Sequence, residues 1–137
     1  MLRHFATLRR TVPVLLWAVV AVGCGDELGG PQVQSCDLTL PVPITEPATV
    51  EYNVDADNAT VASVTFTTPV GDSTYTSFPD QTGSTFEFDR NVEFEDATDG
   101  TLEAVGEAGT GGAIVVSFNV IPTDGSQISQ NALACQG

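Results

Sequence analysis

Apolar and polar residues alternate along most of the chain beyond residue 35, and a period of two is typical of strands that bury one face. Val50, Tyr52 and Val54 alternate with Glu51 and Asn53 in this way. No segment of this region shows the 3.6-residue apolar stripe of an amphipathic helix. The pattern therefore predicts short strands, which we place over 36–40, 50–54, 61–68, 74–78, 86–94, 102–104, 113–121 and 128–135.

Residues that favour turns separate these strands, and they predict turns at 41–43, 55–58, 69–73, 99–100, 106–112 and 122–125. In the strand over 61–68, the alternation places Ala62, Val64 and Phe66 on the buried side. Residues 86–94 allow two interpretations, either one continuous strand or two strands separated by a bend at 89–91.

Seven or eight short strands over about 100 residues predict one all-β domain, an immunoglobulin-like antiparallel β-sandwich spanning 36–137. Cys36 and Cys135 lie at the start and the end of this domain. An even pair of cysteines in an oxidising compartment predicts a disulfide. Because it would close a loop of about 100 residues, the chain-entropy relation assigns it on the order of 4–5 kcal/mol.

The N-terminus predicts export and lipid anchoring. Arg3, Arg9 and Arg10 precede an apolar run over 12–22 that is too short to span a membrane, so residues 1–23 are interpreted as a signal peptide. Residues 21–24 resemble the lipobox of bacterial lipoproteins, which implies acylation of Cys24 after cleavage. An ordinary secretory signal with a spare thiol at Cys24 is the alternative, and the paired arginines also fit a twin-arginine export signal.

Residues 24–35 are rich in glycine and polar side chains and predict a flexible, lipidated tether ahead of the folded domain. All 18 acidic residues follow residue 23, whereas the chain beyond that point contains one cation, Arg90, and neither Lys nor His. Nucleic acid is a poor partner for such a surface, because phosphate binding requires clustered Lys or Arg. Cationic partners are permitted electrostatically. Solubility, as in a saline habitat, is the other explanation of the acidity.

The side chains available after cleavage argue against an enzyme. Without His, Lys or a free thiol, neither a Ser-His-Asp nor a Cys-His site can be formed. Paired carboxylates for glycoside hydrolysis are the remaining catalytic option. No cofactor is expected apart from calcium, for which the candidate ligands are Asp55, Asp57, Asp96 and Asp99. Neither acidic segment fits the twelve-residue calcium loop, and ordinary turn formation explains the same residues.

The order of features beyond residue 50 resembles the extracytoplasmic domain of MmpS-type transport accessory proteins and related small immunoglobulin-like lipoproteins. The residues that carry this resemblance are 50–54, 64–67, Gly71, Pro79, 102–104, 114–120, Gly125 and Cys135. The chain differs in its cysteine partner Cys36, in lacking a tryptophan after Pro79, and in having a lipobox where that family often keeps a membrane helix.

The resemblance implies a β-sandwich that assists an envelope transporter or presents a binding surface. The predicted lipobox implies that this module is lipid-anchored to a bacterial membrane outside the cytoplasm, and the missing catalytic side chains imply that it is non-catalytic. Such a module would bind an envelope protein or assist a transporter. A calcium-stabilised adhesion or surface-structural domain is the alternative function. The resemblance transfers no catalytic residue to this chain.

Overall fold

The computed structural model describes residues 32–78, 81 and 85–137, so the predicted signal peptide and Cys24 lie outside the described residues. The described residues form an all-β, antiparallel fold, as predicted. None of their segments is a helix long and apolar enough to cross a membrane. The strands are β1 Gln34–Ile44, β2 Ala48–Thr68, β3 Gly71–Tyr75, β4 Thr85–Phe94, β5 Thr98–Pro122 and β6 Ser129–Gln136.

Two long strands, β2 and β5, run through the whole domain and pair with each other in two stretches. Residues 48–57 of β2 pair with 113–122 of β5, and β4 and β6 flank them, giving the order β4–β2–β5–β6. We call these strands the front half-sheet. Residues 59–66 of β2 pair with 102–108 of β5 between β3 and β1, giving the back half-sheet with the order β3–β2–β5–β1.

The sheet curls at the junction of the two half-sheets and encloses one hydrophobic core. Alternate residues of β1, β2, β4 and β5 point into this core, as the period of two predicts. The largest contributors from both half-sheets are Leu38, Leu40, Val42, Ile44, Val50, Tyr52, Val54, Val64, Phe66, Phe88, Phe94, Leu102, Ile114, Val116 and Phe118. The described residues form six strands where seven or eight were expected, because β2 and β5 each supply a segment to both half-sheets.

β2 bends where the sequence predicted a turn at 55–58. The ladder between β2 and β5 shifts register between Asp57 and Ala59, and Asn58 adopts a positive φ of 44°. A second shift follows Val61. Such bulges insert an extra residue that bends a strand and increases its twist without ending it. The predicted turn is therefore wrong, since β2 continues through the bend.

β5 crosses the same bend through the glycine-rich segment 106–112, which was predicted to be a connecting loop and is instead part of the strand. A Cβ atom on Gly106 would collide with the carbonyl oxygen of Thr60, and one on Gly112 with that of Asn58. Glycine at these two positions allows the bent backbones of β2 and β5 to approach each other. The glycines mark a close crossing and not a flexible hairpin.

The structure decides three further predictions about single strands. β1 continues through Pro41 and Pro43, which were predicted to end it. Proline is tolerated there because β1 is an edge strand, where a missing N–H facing outward costs no ladder hydrogen bond. The bulge in β2 buries Val61 and leaves the predicted core residue Ala62 exposed. β4 is one continuous strand, which decides between the two interpretations of 86–94 in favour of the first.

The two open sides of the curled sheet are closed by different kinds of interaction. On the side of β1 and β6, Cys36 and Cys135 form the predicted disulfide, with a Cα–Cα distance of 5.8 Å. On the side of β3 and β4, the Phe66 ring lies 5.9 Å from the rings of both Tyr75 and Phe88. The two half-sheets are therefore held together covalently on one side and by aromatic contacts on the other.

Candidate functional site

The predicted calcium ligands are not brought together by the fold. Asp55 and Asp57 are exposed on β2 near the bend, whereas Asp96 lies in the connection between β4 and β5 and Asp99 at the start of β5. The length of β4 separates the two pairs, on the order of 30 Å for ten residues of strand. Within the part of the chain that the structure describes, no group of three or more Asp, Glu, His or Cys residues has a metal-binding arrangement.

A continuous acidic surface lies on the outer face of the front half-sheet, where β2 and β4 are neighbours. We call it the acidic strip, and its members are Glu51, Asp55, Asp57, Glu87, Asp89 and Glu93. Asp55 lies directly opposite Glu87 in the ladder. Like charges at directly opposite positions destabilise an antiparallel pair. This pair of the acidic strip therefore costs the fold stability instead of supporting it.

The remaining cation of the domain does not face the acidic strip. Arg90 has the same parity as the buried Phe88, so its side chain projects from the opposite face of β4. Its guanidinium lies 4.7 Å from the Phe88 ring centroid and 5.0 Å from that of Tyr75, and it donates a hydrogen bond to the carbonyl of Asp89. Both ring contacts are within the range of cation–π attraction. Arg90 thus covers the rings of Phe88 and Tyr75, and it does not offset the negative charge of the acidic strip.

The other half of the same outer face is uncharged. We call it the neutral strip, and it consists of Ala113, Val115, Ser117, Asn119, Ile121, Gln130, Ala132, Ala134 and Gln136 from β5 and β6. Asn119 marks the border, because its Nδ2 atom donates to the Glu51 carboxylate at 3.0 Å. The front half-sheet therefore presents two chemically distinct surfaces side by side.

A groove of about 500 Å³ opens between the edge strands β1 and β6, at the end away from the disulfide. Pro41 and Pro43 form one wall, Ser129 and Asn131 the other, and the buried Phe118 ring contributes to the lining. Its polar groups are predominantly uncharged. The groove exists because β1 and β6 are joined near the bend and diverge from there.

The facing acids Asp55 and Glu87 do not have the environment of a glycosidase acid pair. Asp55 and Glu87 line one shallow depression of about 490 Å³, together with Asp57 and Val115. A carboxylic acid that protonates a leaving group must be kept neutral by an apolar environment. Asp55 and Glu87 are both exposed to solvent, so this pair lacks the required environment.

The sequence by itself did not place the acids of β4 beside those of β2. Alternation reveals which face of a strand is exposed to solvent, whereas the pairing of β2 with β4 joins residues 28 to 46 positions apart. No protein-family model, curated protein or solved structure matches the chain.

Proposed function

We propose that this protein is a lipid-anchored, non-catalytic binding module of a bacterial cell envelope, located outside the cytoplasm. In this proposal Cys24 carries the anchor, and the acidic strip binds a positively charged segment of an envelope protein, such as a transporter subunit. The Cys36–Cys135 disulfide supports a location in an oxidising compartment. The signal-peptide pattern of residues 1–23 supports export.

The observation that carries the proposal is the like-charged pair of Asp55 and Glu87 at directly opposite positions. Solubility alone requires scattered acids, and it does not require two of them to face each other across a ladder at a cost in stability. A cationic segment lying along β2 and β4 would relieve this repulsion. Complementary charge of this kind accelerates association and selects the partner.

The experiment compares partners captured from native envelopes by three forms of the full protein. The first is the unmodified protein, and the second is the double variant Asp55→Asn/Glu87→Gln. The control is Glu103→Gln/Glu107→Gln, which removes the same number of charges from the outer face of the back half-sheet. We expect the unmodified and control proteins to recover the same partner, released by salt because exposed charge pairs are screened. We expect the acidic-strip variant to lose it.

Equal capture by the acidic-strip variant would show that the partner binds elsewhere, and failure to capture any partner reproducibly would contradict a binding function. The anchor has its own test, which is the intact mass of the protein purified from membranes. A mass equal to residues 24–137 plus acyl chains supports the proposal. An unlipidated mass would make the protein a secreted or uncleaved one.

A further inference from the structure

The strand β6 differs from every other edge of the sheet in its composition and exposure. Within the described residues it pairs only with β5, and nearly all of its residues are exposed on both faces. It has eight residues without a charge or a proline, in a domain with one cation and a large excess of acids. Its Leu133 side chain is an exposed apolar group, 40% accessible.

The other three edges have features that prevent pairing with another strand. β1 carries Pro41, Pro43 and Asp37, and β3 has only five residues. Exposed acids alternate with inward-facing residues along β4. Prolines, charges and short length are the usual means by which proteins protect sheet edges. β6 has none of these, and it is long enough to template a strand.

The hydrogen bonds at the end of β6 identify which backbone groups point away from β5. The N–H of Gly137 donates to the carbonyl of Gly112 at 3.0 Å, so residue 137 faces β5. Bonding direction alternates along an antiparallel strand. The residues whose N–H and C=O groups point away from β5 are therefore Gln130, Ala132, Ala134 and Gln136. In agreement, the N–H of Ala132 is bonded to the side-chain oxygen of its own neighbour Asn131 at 2.9 Å.

We infer that β6 pairs antiparallel with β6 of a second copy of this chain. A basic partner would be drawn to the acidic strip, whereas two copies of a strongly acidic protein repel each other wherever their acids meet. Two such molecules can approach each other without that repulsion at the neutral strip, which ends at β6. The electrostatics thus favour a second copy over a cationic segment at this edge.

One register pairs all four outward-facing residues of β6. A two-fold axis through Leu133 places Ala132 opposite Ala134 of the second copy and Gln130 opposite Gln136 of the second copy. All four outward-facing residues are then bonded, and the two exposed Leu133 side chains cover each other on the face that borders the β1–β6 groove. β4 lies at the far edge of the half-sheet, so the acidic strip stays accessible. The inference therefore does not depend on the proposed function.

The test uses the full protein with Leu133→Cys, exported in cells and analysed on non-reducing gels. Facing residues of a non-hydrogen-bonded pair have Cα atoms about 4.5 Å apart, which is within disulfide range. We expect a disulfide-linked homodimer, several-fold more abundant than for Val70→Cys. Val70 is the matched control because it is 97% exposed at the β2–β3 turn, away from the inferred interface.

Adding Ala134→Pro to Leu133→Cys provides the specific control. The N–H of Ala134 points away from β5, so proline there removes a bond to the second copy and none within the domain. We expect the homodimer to fall to the level of Val70→Cys. Crosslinking of Leu133→Cys no greater than that of Val70→Cys, or crosslinking to a different protein, would overturn the inference.

A second measurement applies if the thiol introduced by Leu133→Cys disturbs the native disulfide, which the intact mass would reveal. The molar mass of the protein without added cysteine is then followed with concentration. An eight-residue strand pair is a small interface, so we expect a reversible shift from monomer to dimer that is lost in Ala134→Pro. A monomer at every concentration would overturn the inference.

Discussion

The hydroxyl group of Tyr52 donates a 2.9 Å hydrogen bond to the carbonyl of Thr67, fifteen residues further along the same strand. Tyr52 belongs to the front half-sheet and Thr67 to the back half-sheet, so this bond spans the interior of the bent β2. The Tyr52 ring also lies 5.2 Å from that of Phe66. One side chain therefore holds together the two arms of β2.

A variant that lacks this hydroxyl group tests how much the hydrogen bond across the bend contributes to the free energy of unfolding. For Tyr52→Phe we expect the free energy of unfolding to fall by about 1–3 kcal/mol, because a partly buried acceptor loses its donor while the ring stays in place. Chemical denaturation measures the change. Tyr75→Phe is the control, since Tyr75 is 38% exposed and should change stability by no more than about 0.5 kcal/mol. Equal effects of the two variants would contradict this role of Tyr52.

The same residue predicts a dependence of stability on alkaline pH. Burial, and secondarily the negative charge of Asp72, raises the pKa of Tyr52 well above its ordinary value of 10.0. The folded state favours the neutral hydroxyl, so this contribution is fully present below pH 10.0 and is lost as the pH rises through the folded-state value. We expect the free energy of unfolding to decline less steeply above pH 10.0 in Tyr52→Phe than in the unmodified protein. Identical slopes would contradict the prediction.

The acidic strip should be a site where losing a charge stabilises the fold. We expect Glu87→Gln to raise the free energy of unfolding by about 0.2–1 kcal/mol, because the variant removes the repulsion with Asp55. The gain should shrink in high salt. Glu103→Gln is a suitable control, since Glu103 lies opposite Thr39 and Thr65 instead of another acid. A loss of stability in Glu87→Gln would show that the pair is not repulsive.

The disulfide should make a large contribution for a domain of this size. The bond closes a loop with a sequence separation of 99 residues. We expect the double variant Cys36→Ala/Cys135→Ala to lose on the order of 4 kcal/mol, chiefly because the unfolded chain regains its freedom. Denaturant titration measures the loss. The unmodified protein under reducing conditions should unfold at the same denaturant concentration as the variant, and a difference between them would point to effects of the substitutions themselves.

Calcium should leave the stability of the domain unchanged. The four candidate ligands lie in two separate places, and no metal-binding group of acids occurs within residues 32–78, 81 and 85–137. We expect the melting temperature to be the same in millimolar calcium and in chelator. A rise with calcium that disappears in Glu87→Gln would favour the calcium-stabilised surface domain over the function proposed above.

Local pattern was sufficient to predict the class of fold and much of the core. The alternation of Val50, Tyr52 and Val54 with polar neighbours correctly predicts which side chains are buried. The apolar strand over 113–121 and the turn that follows it were also predicted, since proline, aspartate and glycine act locally. With two cysteines in the predicted domain, the sequence also left one possible disulfide within it.

The same local information did not distinguish a bend from a chain reversal. Asn58 and the glycines of 106–112 are residue types that both hairpin turns and bulges require. Only the continued pairing of β2 with β5 shows that each strand bends in these segments and continues beyond them.

Alternation along the chain determined by itself that the domain is built of strands and which side of each strand is wet, because that period is a property of neighbouring residues. The assignment of Cys24 as an anchor remains a prediction from the sequence. Tertiary structure decided which strands are neighbours, and so it decided that Asp55 faces Glu87 and that β6 is left as an uncharged edge. The physical reason is that strand pairing joins residues distant in sequence, and it is selected by how the whole sheet buries its core.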